Sequence, residues 1–407
     1  ILRGVTCEYG RGMGFYFEKG SNNRIEGCTI RNFGTLAAMF GKGVSGADYP
    51  IHEFTGNLES RVIGNLKAHH YQNTDFVNDA GTNQGIIGCD IYNTGSGAIV
   101  LNGGNRKTLD EGRNFIENCE IYSFNRRNKT YAAGITLYGV GNVIKHCHIY
   151  NAPHQGIAIF GNEHLIEYNH LEKLVKDVHD NGAIYMGRNP SERGNIIRYN
   201  YFSDIGTEGF KNCGIHLDDG ASDVTVKGNV FYKSSKFDFG DILINGGSDN
   251  KITNNIFIKG SHALWLENPI IAKIPFYMKH HGLDTGGLYW QRMREDVDIT
   301  SDPWKQKYPE FTNLFEWETP FLLRNEYTKN VVFDTDFIIS KHDFDTSLFA
   351  VYEHNLITDK DPGFVSLENE DFRLKEDAEV FEKIPGFEPI PMDSIGTYED
   401  EYRKLLK

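Results

Sequence analysis

Chemically capable side chains concentrate on two consecutive repeats of this sequence. They are Asp180, Tyr185, Arg188, His216, Asp218 and Asp219. Paired carboxylates suit the hydrolysis of a glycosidic bond, in which one carboxyl is a protonated acid and the other is an anionic nucleophile or base. Crowding two acids together raises one pKa and separates these roles. The sequence therefore predicts that the catalytic residues are among these three aspartates.

The elements that position these residues are short strands, one in each repeat. In six aligned segments the first and third residues are apolar and are expected to face a core, so the second and fourth face outward. One outward column contains Val100, Thr136, Ala158, Tyr185, His216 and Leu243, and the other contains Asn102, Tyr138, Phe160, Gly187, Asp218 and Asn245. Parallel strands about 4.8 Å apart would stack these columns into a single face.

That face is predicted to bind sugar. Aromatic rings at Tyr138 and Phe160 would stack on sugar rings, and Arg188 and His216 would position hydroxyls or a carboxylate. The full set of predicted substrate-binding residues is Tyr138, His154, Phe160, Tyr185, Arg188, Arg193, His216 and Asn245.

Structural explanations compete with these roles. Asp219 precedes Gly220, and Asp-Gly is a common turn former. Arg188 could form an ion pair with Asp219 one coil away. Tyr185 and His216 could be ordinary sheet surface, and His154 could fill a bend.

The segments belong to a repeat of the form apolar, x, x, Cys or Asn, x, apolar. Its anchor positions are Cys28, Cys89, Cys119, Cys147, Asn169, Asn200, Asn229 and Asn255. Anchors from Cys89 onward lie 22 to 31 residues apart. Such a period, with short β-type runs and Asn or Gly at the bends, indicates an all-β solenoid, a right-handed parallel β-helix. Stacked anchors should form a buried ladder, so their cysteines are not expected to pair as disulfides. A weaker copy around Asn65 could fill the gap after Cys28.

The repeats define three predicted regions. Residues 1–266 form the helix, with an irregular insertion at 35–80. Residues 267–328 are an aromatic-rich, irregular or helical segment that covers the solenoid. Residues 329–407 supply the final coils and a capping tail. Because the chain opens as a mid-coil strand, we expect an N-terminal cap and any export signal to lie outside it.

Composition limits the partners. The 407-residue chain has 42 Lys and Arg against 56 Asp and Glu, a formal net charge of −14. This charge argues against nucleic-acid binding. No apolar run is long enough to span a membrane, so no membrane insertion is expected. Cysteine usage does not indicate a compartment, and the oligomeric state stays open.

Several longer strings resemble bacterial β-helix proteins of glycoside hydrolase family 141. They are Gly104–Leu109, Asn151–Ile157, Asp180–Asn200, Leu217–Ala221, Phe372–Lys375 and Ile384–Pro391. The resemblance covers roughly 80–407 and is strongest at 150–260. It implies fucosidase or xylanase-type activity on plant cell-wall polysaccharides, with Asp180 and either Asp218 or Asp219 as the catalytic pair. His216 replaces an expected Tyr, and Asp-Asn-Gly replaces Asp-Ala-Gly, which could change the sugar accepted.

Three functions follow as hypotheses. The first is a glycosidase without a cofactor, acting on a complex plant or algal polysaccharide in the periplasm or outside the cell. Asp180 and Asp218 would be its acid and its nucleophile or base, in either order. The second is a polysaccharide lyase, with a base among Arg188, Arg193 and His216 and with Ca²⁺ held by the three aspartates. The third is a solenoid that binds glycans without cleaving them.

Overall fold

The chain forms three long parallel sheets that run side by side along a solenoid. The computed structural model describes residues 1–41, 80–187, 189–267, 290, 292–316, 324–340 and 350–406. Within these residues the sheets contain eleven, eleven and ten strands. Strands of consecutive coils are hydrogen-bonded neighbours in each sheet. This topology confirms the predicted all-β parallel β-helix.

Strands are numbered in chain order. The first sheet contains β1 (Leu2–Arg3), β4 (Arg24–Glu26), β7 (Gly85–Ile87), β12 (Phe115–Glu117), β15 (Val143–Lys145), β18 (Leu165–Glu167), β21 (Asn195–Arg198), β24 (Val224–Lys227), β27 (Lys251–Thr253), β30 (Asn325–Thr328) and β33 (Ala350–Glu353). The second contains β2 (Thr6–Glu8), β5 (Thr29–Arg31), β8 (Asp90–Tyr92), β13 (Glu120–Tyr122), β16 (His148–Tyr150), β19 (His170–Glu172), β22 (Tyr201–Ser203), β25 (Val230–Tyr232), β28 (Ile256–Ile258), β31 (Val331–Phe333) and β34 (Leu356–Thr358). The third contains β3 (Phe15–Phe17), β6 (Ala38–Phe40), β9 (Ile99–Leu101), β14 (Ile135–Leu137), β17 (Ile157–Ile159), β20 (Asn181–Gly187), β23 (Asn212–Asp218), β26 (Ile242–Asn245), β29 (His262–Glu267) and β32 (Asp336–Ser340).

The remaining described elements lie outside the three sheets. Two antiparallel hairpins are formed by β10 (Gly104–Asn105) with β11 (Asp110–Glu111) and by β35 (Phe364–Ser366) with β36 (Asp371–Leu374). The α-helices are α1 (Asp302–Lys307) and α2 (Glu379–Lys383). A π-helical turn spans Arg292–Asp296, and 3₁₀ turns span Phe311–Glu316, Met392–Ser394 and Arg403–Leu406. No helix in the described part of the chain is long and apolar enough to cross a membrane.

The core lies between the sheets, and the predicted inward positions fill it. In the third sheet the buried inward residues are Ile99, Leu101, Ile135, Leu137, Ile157, Ile159, Ile184, Met186, Ile215, Leu217, Ile242 and Ile244. Each pairs in register with the equivalent residue of the next coil. The alternation expected from the sequence is therefore confirmed.

Cys and Asn anchors form the predicted ladder at one bend. In the asparagine part, the main-chain N–H of each anchor donates to Oδ1 of the next, as from Asn169 to Asn200 at 3.0 Å and from Asn200 to Asn229 at 2.9 Å. In the cysteine part, a sulfur takes that place, as Sγ of Cys119 does for the N–H of Cys89. The four ladder cysteines are buried and form no disulfide, as predicted.

A weak repeat around Asn65 was predicted to fill the gap between Cys28 and Cys89. Its residues lie outside the described ranges, but strand β4 pairs directly with β7, and the N–H of Cys28 donates to Sγ of Cys89. These contacts leave no place in the ladder for an intervening anchor. The suggestion that Asn65 fills the gap is therefore wrong.

Two segments pack on the outside of the solenoid. Helix α1 buries Trp304, whose Nε1 donates to the carbonyl oxygen of Arg106 at 3.0 Å. The C-terminal tail crosses the second sheet, where Thr397 donates to Glu120 and the main-chain N–H of Tyr398 donates to Oδ1 of Asn118. These contacts fix both segments against coils that are distant in sequence.

Candidate functional site

The candidate site lies where β20 and β23 end. Their register pairs Tyr185 with His216 and Gly187 with Asp218, as the two predicted outward columns require. The next coil continues the first of these columns, because Leu243 pairs with His216. Strand alternation therefore places the side chains of Tyr185, His216 and Asp218 on one face.

Asp218 accepts hydrogen bonds on both of its carboxylate oxygens. Oη of Tyr185 donates to Oδ2 at 2.8 Å, and Nδ2 of Asn245 donates to Oδ1 at 2.9 Å. The two donors come from the preceding and the following coil. Because donors to a carboxylate stabilise its ionised form, this arrangement favours Asp218 as an anion.

Asn245 also links Asp218 to Asp219. Its Nδ2 donates to Oδ1 of Asp219 at 3.0 Å as well as to Asp218. One amide nitrogen thus bonds two consecutive carboxylates, and their two oxygens are no farther apart than the sum of these distances. Asp219 has a positive φ of 36°, so it turns the chain immediately after β23.

His216 lies beside this pair. Its Nε2 is 3.5 Å from Oδ1 of Asp218, and its ring makes edge contacts with Tyr185 and Phe239. Desolvation acts to lower the pKa of the imidazole. The nearby charge of Asp218, with the charges of Asp180 and Asp219, outweighs that effect and raises the pKa above its ordinary value.

Asp180 occupies the other end of β20. It is exposed, has a φ of 59°, and donates its main-chain N–H to the carbonyl oxygen of Lys211 at 2.8 Å. Six residues of β20 lie between it and Gly187, the register partner of Asp218. The charge of Asp180 still acts on His216, while Asn245 links Asp218 to Asp219.

The face is more enclosed than the sequence suggests. Tyr185 is 4% exposed, His216 1%, Asp218 7% and Asp219 5%. The reading of Tyr185 and His216 as open sheet surface is therefore wrong. Phe239, Leu243 and Trp265 form a small apolar cluster with Cys213 beside them. Asn245 is only half-buried.

The predicted sugar-stacking rings stack on each other. The centroids of Tyr138 and Phe160 are 5.3 Å apart, with an interplanar angle of 26°. Phe160 is buried with Ala133 and Ala158, while Tyr138 packs at the edge of that cluster. Only Tyr138 is partly open to a ligand.

His154 and Arg193 lie away from Asp218. His154 contacts Nδ2 of Asn181 at 3.3 Å, at the Asp180 end of the strand, and burial lowers its pKa to about 4. Arg193 is buried beyond β20.

The guanidinium of Arg193 forms ion pairs with Asp223 and Asp249 and lies 4.5 Å from the ring centre of Phe311. These contacts give it a structural role between coils and the cover segment. Arg188 lies outside the described residues.

The predicted columns did not include the next coil of the same face. Trp265 pairs with Leu243 and Glu267 pairs with Asn245, so the two columns continue onto β29. The sequence contains the alternation that predicts this coil. Leu264 and Leu266 are apolar and face the core, and Trp265 and Glu267 occupy the outward positions between and after them. Nε1 of Trp265 donates to Glu267 at 3.0 Å.

Comparison with known proteins identifies the fold. A sequence family described as a right handed beta helix region matches residues 76–263. Together with the three parallel sheets, this match shows that the chain is a right-handed parallel β-helix protein. No curated protein matches the chain. The β-helix is common to glycoside hydrolases, lyases and binding proteins, so the site has to carry the functional argument.

Proposed function

We propose that this right-handed β-helix is a glycoside hydrolase that cleaves a complex plant or algal polysaccharide, with Asp218 as its central carboxylate. The observation that carries the proposal is the pair of hydrogen bonds to Asp218, from Tyr185 and from Asn245. They hold the side chain in one orientation and stabilise its anion. An oriented anion is what a nucleophile or general base requires.

Asp219 is the partner carboxyl that the geometry favours. Asn245 holds it beside Asp218, and two acids this close do not both ionise readily. The one that keeps its proton can protonate the leaving oxygen of the glycosidic bond. We therefore assign the general acid to Asp219 and the nucleophile to Asp218. Asp180, at the far end of β20, is assigned to binding the substrate.

His216 and Tyr185 position the pair. Both rings are buried against it, so they exclude water from one side of Asp218. Electrostatic interactions strengthen when water is excluded, which favours the charge that develops on the sugar in the transition state. Because Asn245 is the half-buried member of this group, we propose that the sugar enters from its side.

The test is product analysis with the intact protein. It would be incubated with a panel of plant and algal glycans, with EDTA in one arm and Ca²⁺ in another, and the products weighed by mass spectrometry. Products that have gained one water per cleavage, formed equally with EDTA, support hydrolysis. Unsaturated products that require Ca²⁺ would make it a lyase, and binding without products would make it a glycan-binding solenoid. Either result would overturn the proposal.

A further inference from the structure

A second cluster of chemically capable side chains lies on the outer face of the second sheet. His148 is on β16, and His170 and Glu172 are on the adjacent strand β19. His148 pairs in register with His170, and Glu172 is two residues farther along the same strand. Because residues two apart in a strand share a face, all three side chains project from the same side of the sheet.

The donor atoms are close enough to share one ion. One nitrogen from each imidazole and one oxygen of Glu172 lie within 4.8 Å of one another. Nε2 of His148 is 3.1 Å from Oε2 of Glu172. In tetrahedral geometry, metal–ligand bonds of about 2.0–2.1 Å place neighbouring ligand atoms about 3.3 Å apart. The distance between Nε2 of His148 and Oε2 of Glu172 fits this spacing.

Neighbouring residues orient both rings. Nδ1 of His148 lies 3.2 Å from Oε2 of Glu120, which directs its Nε2 toward Glu172. Nε2 of His170 lies 2.8 Å from Oγ of Ser203, which leaves its Nδ1 for an ion. The two imidazoles stack with centroids 4.6 Å apart and an interplanar angle of 4°, so one ring has to turn out of the stack for both to bind the same ion. A carboxylate on the far nitrogen of a histidine is the usual support of a metal-bound imidazole.

We propose that His148, His170 and Glu172 bind a divalent transition-metal ion of the Zn²⁺ type. Two imidazoles and one carboxylate are the donor set that suits such an ion better than Ca²⁺ or Mg²⁺. The site lies on the second sheet, whereas Asp218 lies on the third, so this inference does not depend on the proposed function.

The position of the site indicates a structural role. Glu120, which orients His148, also accepts a hydrogen bond from Oγ1 of Thr397 at 3.0 Å. The adjacent Gly396 donates its main-chain N–H to the carbonyl oxygen of Tyr168 at 2.8 Å. A metal ion bound to His148 would hold that imidazole beside Glu120. Because Glu120 also accepts the hydrogen bond from Thr397, the ion would stabilise the packing of the C-terminal tail against the second sheet.

The test is titration of the EDTA-treated, dialysed protein with Zn²⁺ by isothermal calorimetry, alongside its melting temperature. We expect one ion per chain, micromolar or tighter binding, and a melting temperature that rises with Zn²⁺ but not with Mg²⁺. The variants His148→Gln and Glu172→Gln should each lose most of this affinity. Exposed controls His354→Gln and Glu376→Gln should keep it.

A positioning variant separates a built site from chance surface binding. Glu120→Gln keeps all three ligands but should weaken Zn²⁺ binding about 10- to 100-fold. Zn²⁺ should also slow hydrogen exchange at residues 396–398 in the wild type but not in Glu172→Gln. Binding by Glu172→Gln as tight as wild type, or binding by neither the wild type nor its controls, would overturn the proposal. Circular dichroism of each metal-free variant shows whether it is folded.

Discussion

Oη of Tyr185 lies 2.8 Å from Oδ2 of Asp218, and this hydrogen bond joins the ends of β20 and β23. The contact requires Gly187, which pairs with Asp218. A Cβ at position 187 would lie 2.7 Å from Cβ of Asp218 and 3.1 Å from Oη of Tyr185. The candidate site therefore depends on the absence of a side chain at position 187 as well as on the side chains of Tyr185 and Asp218.

Replacing Asp218 by Asn should abolish turnover and leave the fold intact. The amide keeps the shape of the side chain but supplies no negative charge, so kcat should fall about 10²- to 10⁴-fold. The measurement is kcat on the active glycan, with a circular dichroism spectrum of each protein. Asp377→Asn, at an exposed position, is the matched control and should match wild type. Substantial activity in Asp218→Asn would remove Asp218 from the mechanism.

Replacing Gly187 by Ala should impair the site without removing any reactive group. The new Cβ would push Asp218 and the hydroxyl of Tyr185 from their positions, and a shift of about 1 Å can cost about 10²-fold in rate. Overpacking should also lower the free energy of unfolding by about 1–3 kcal/mol. Gly12→Ala is the control, because a Cβ there meets nothing within 4 Å. Wild-type kcat in Gly187→Ala would mean that the position of Asp218 does not matter.

The stereochemistry of the product should be retained. The Asp218 and Asp219 oxygens bonded to Asn245 are separated by less than the roughly 6.5 Å at which inverting pairs begin. The first-formed anomer can be observed by proton NMR before mutarotation. Inversion would point instead to a more distant partner, such as Asp180, and the Asp219→Asn and Asp180→Asn variants would then decide between them.

Asp241 should make stability depend on pH. Its buried carboxyl accepts hydrogen bonds from Ser234 at 2.7 Å and Ser235 at 2.9 Å, and burial raises its pKa to about 7. The unfolded carboxyl titrates near pH 4, so the folded state binds the extra proton between about pH 4 and 7. The contribution of Asp241 to the free energy of unfolding therefore falls as pH rises through that window, by at most about 4 kcal/mol.

Asp241→Asn isolates this effect. Buried histidines with lowered pKa act in the opposite direction, so the informative quantity is the difference between variant and wild type at each pH. Urea unfolding at pH 5 and pH 8 should show the variant gaining stability relative to wild type at the higher pH. A difference that does not change with pH would contradict the prediction.

The Asn ladder should be costly to interrupt. Oδ1 of Asn200 accepts the main-chain N–H of Asn169, and its Nδ2 donates to the carbonyl oxygen of Ile166. Asn200→Ala leaves buried polar groups unsatisfied and should cost about 3 kcal/mol or more. Asn200→Cys should cost less, because a sulfur accepts the same N–H at Cys119.

Denaturant titration would measure the free energy of unfolding of both variants and show which loses more stability. Asn313→Ala, at an exposed position, is the control. Equal losses for Ala and Cys would show that the ladder sulfur does not substitute for the amide.

The interior of the solenoid was predictable because its rules are local. Apolar alternation along each strand predicted that Ile184 and Leu217 face the core while Tyr185 and Asp218 do not, and the register confirms this. The ladder followed from the recurrence of Cys and Asn at one bend. The same alignment, carried one coil further, would have added Glu267 to the candidate face.

The sequence by itself determined the β-helix, its ladder and the column that contains Asp218, because each depends on a repeat that every coil obeys. Only the tertiary structure decided which carboxylates meet, since Asn245 bonds Asp218 and Asp219 from the next coil and Asp180 remains at the far end of β20. It also assigned Arg193 to Asp223 and Asp249. The turns between strands differ in length from coil to coil, so the sequence repeat does not give the distances between side chains on different coils. Those distances decide which side chains form hydrogen bonds or ion pairs.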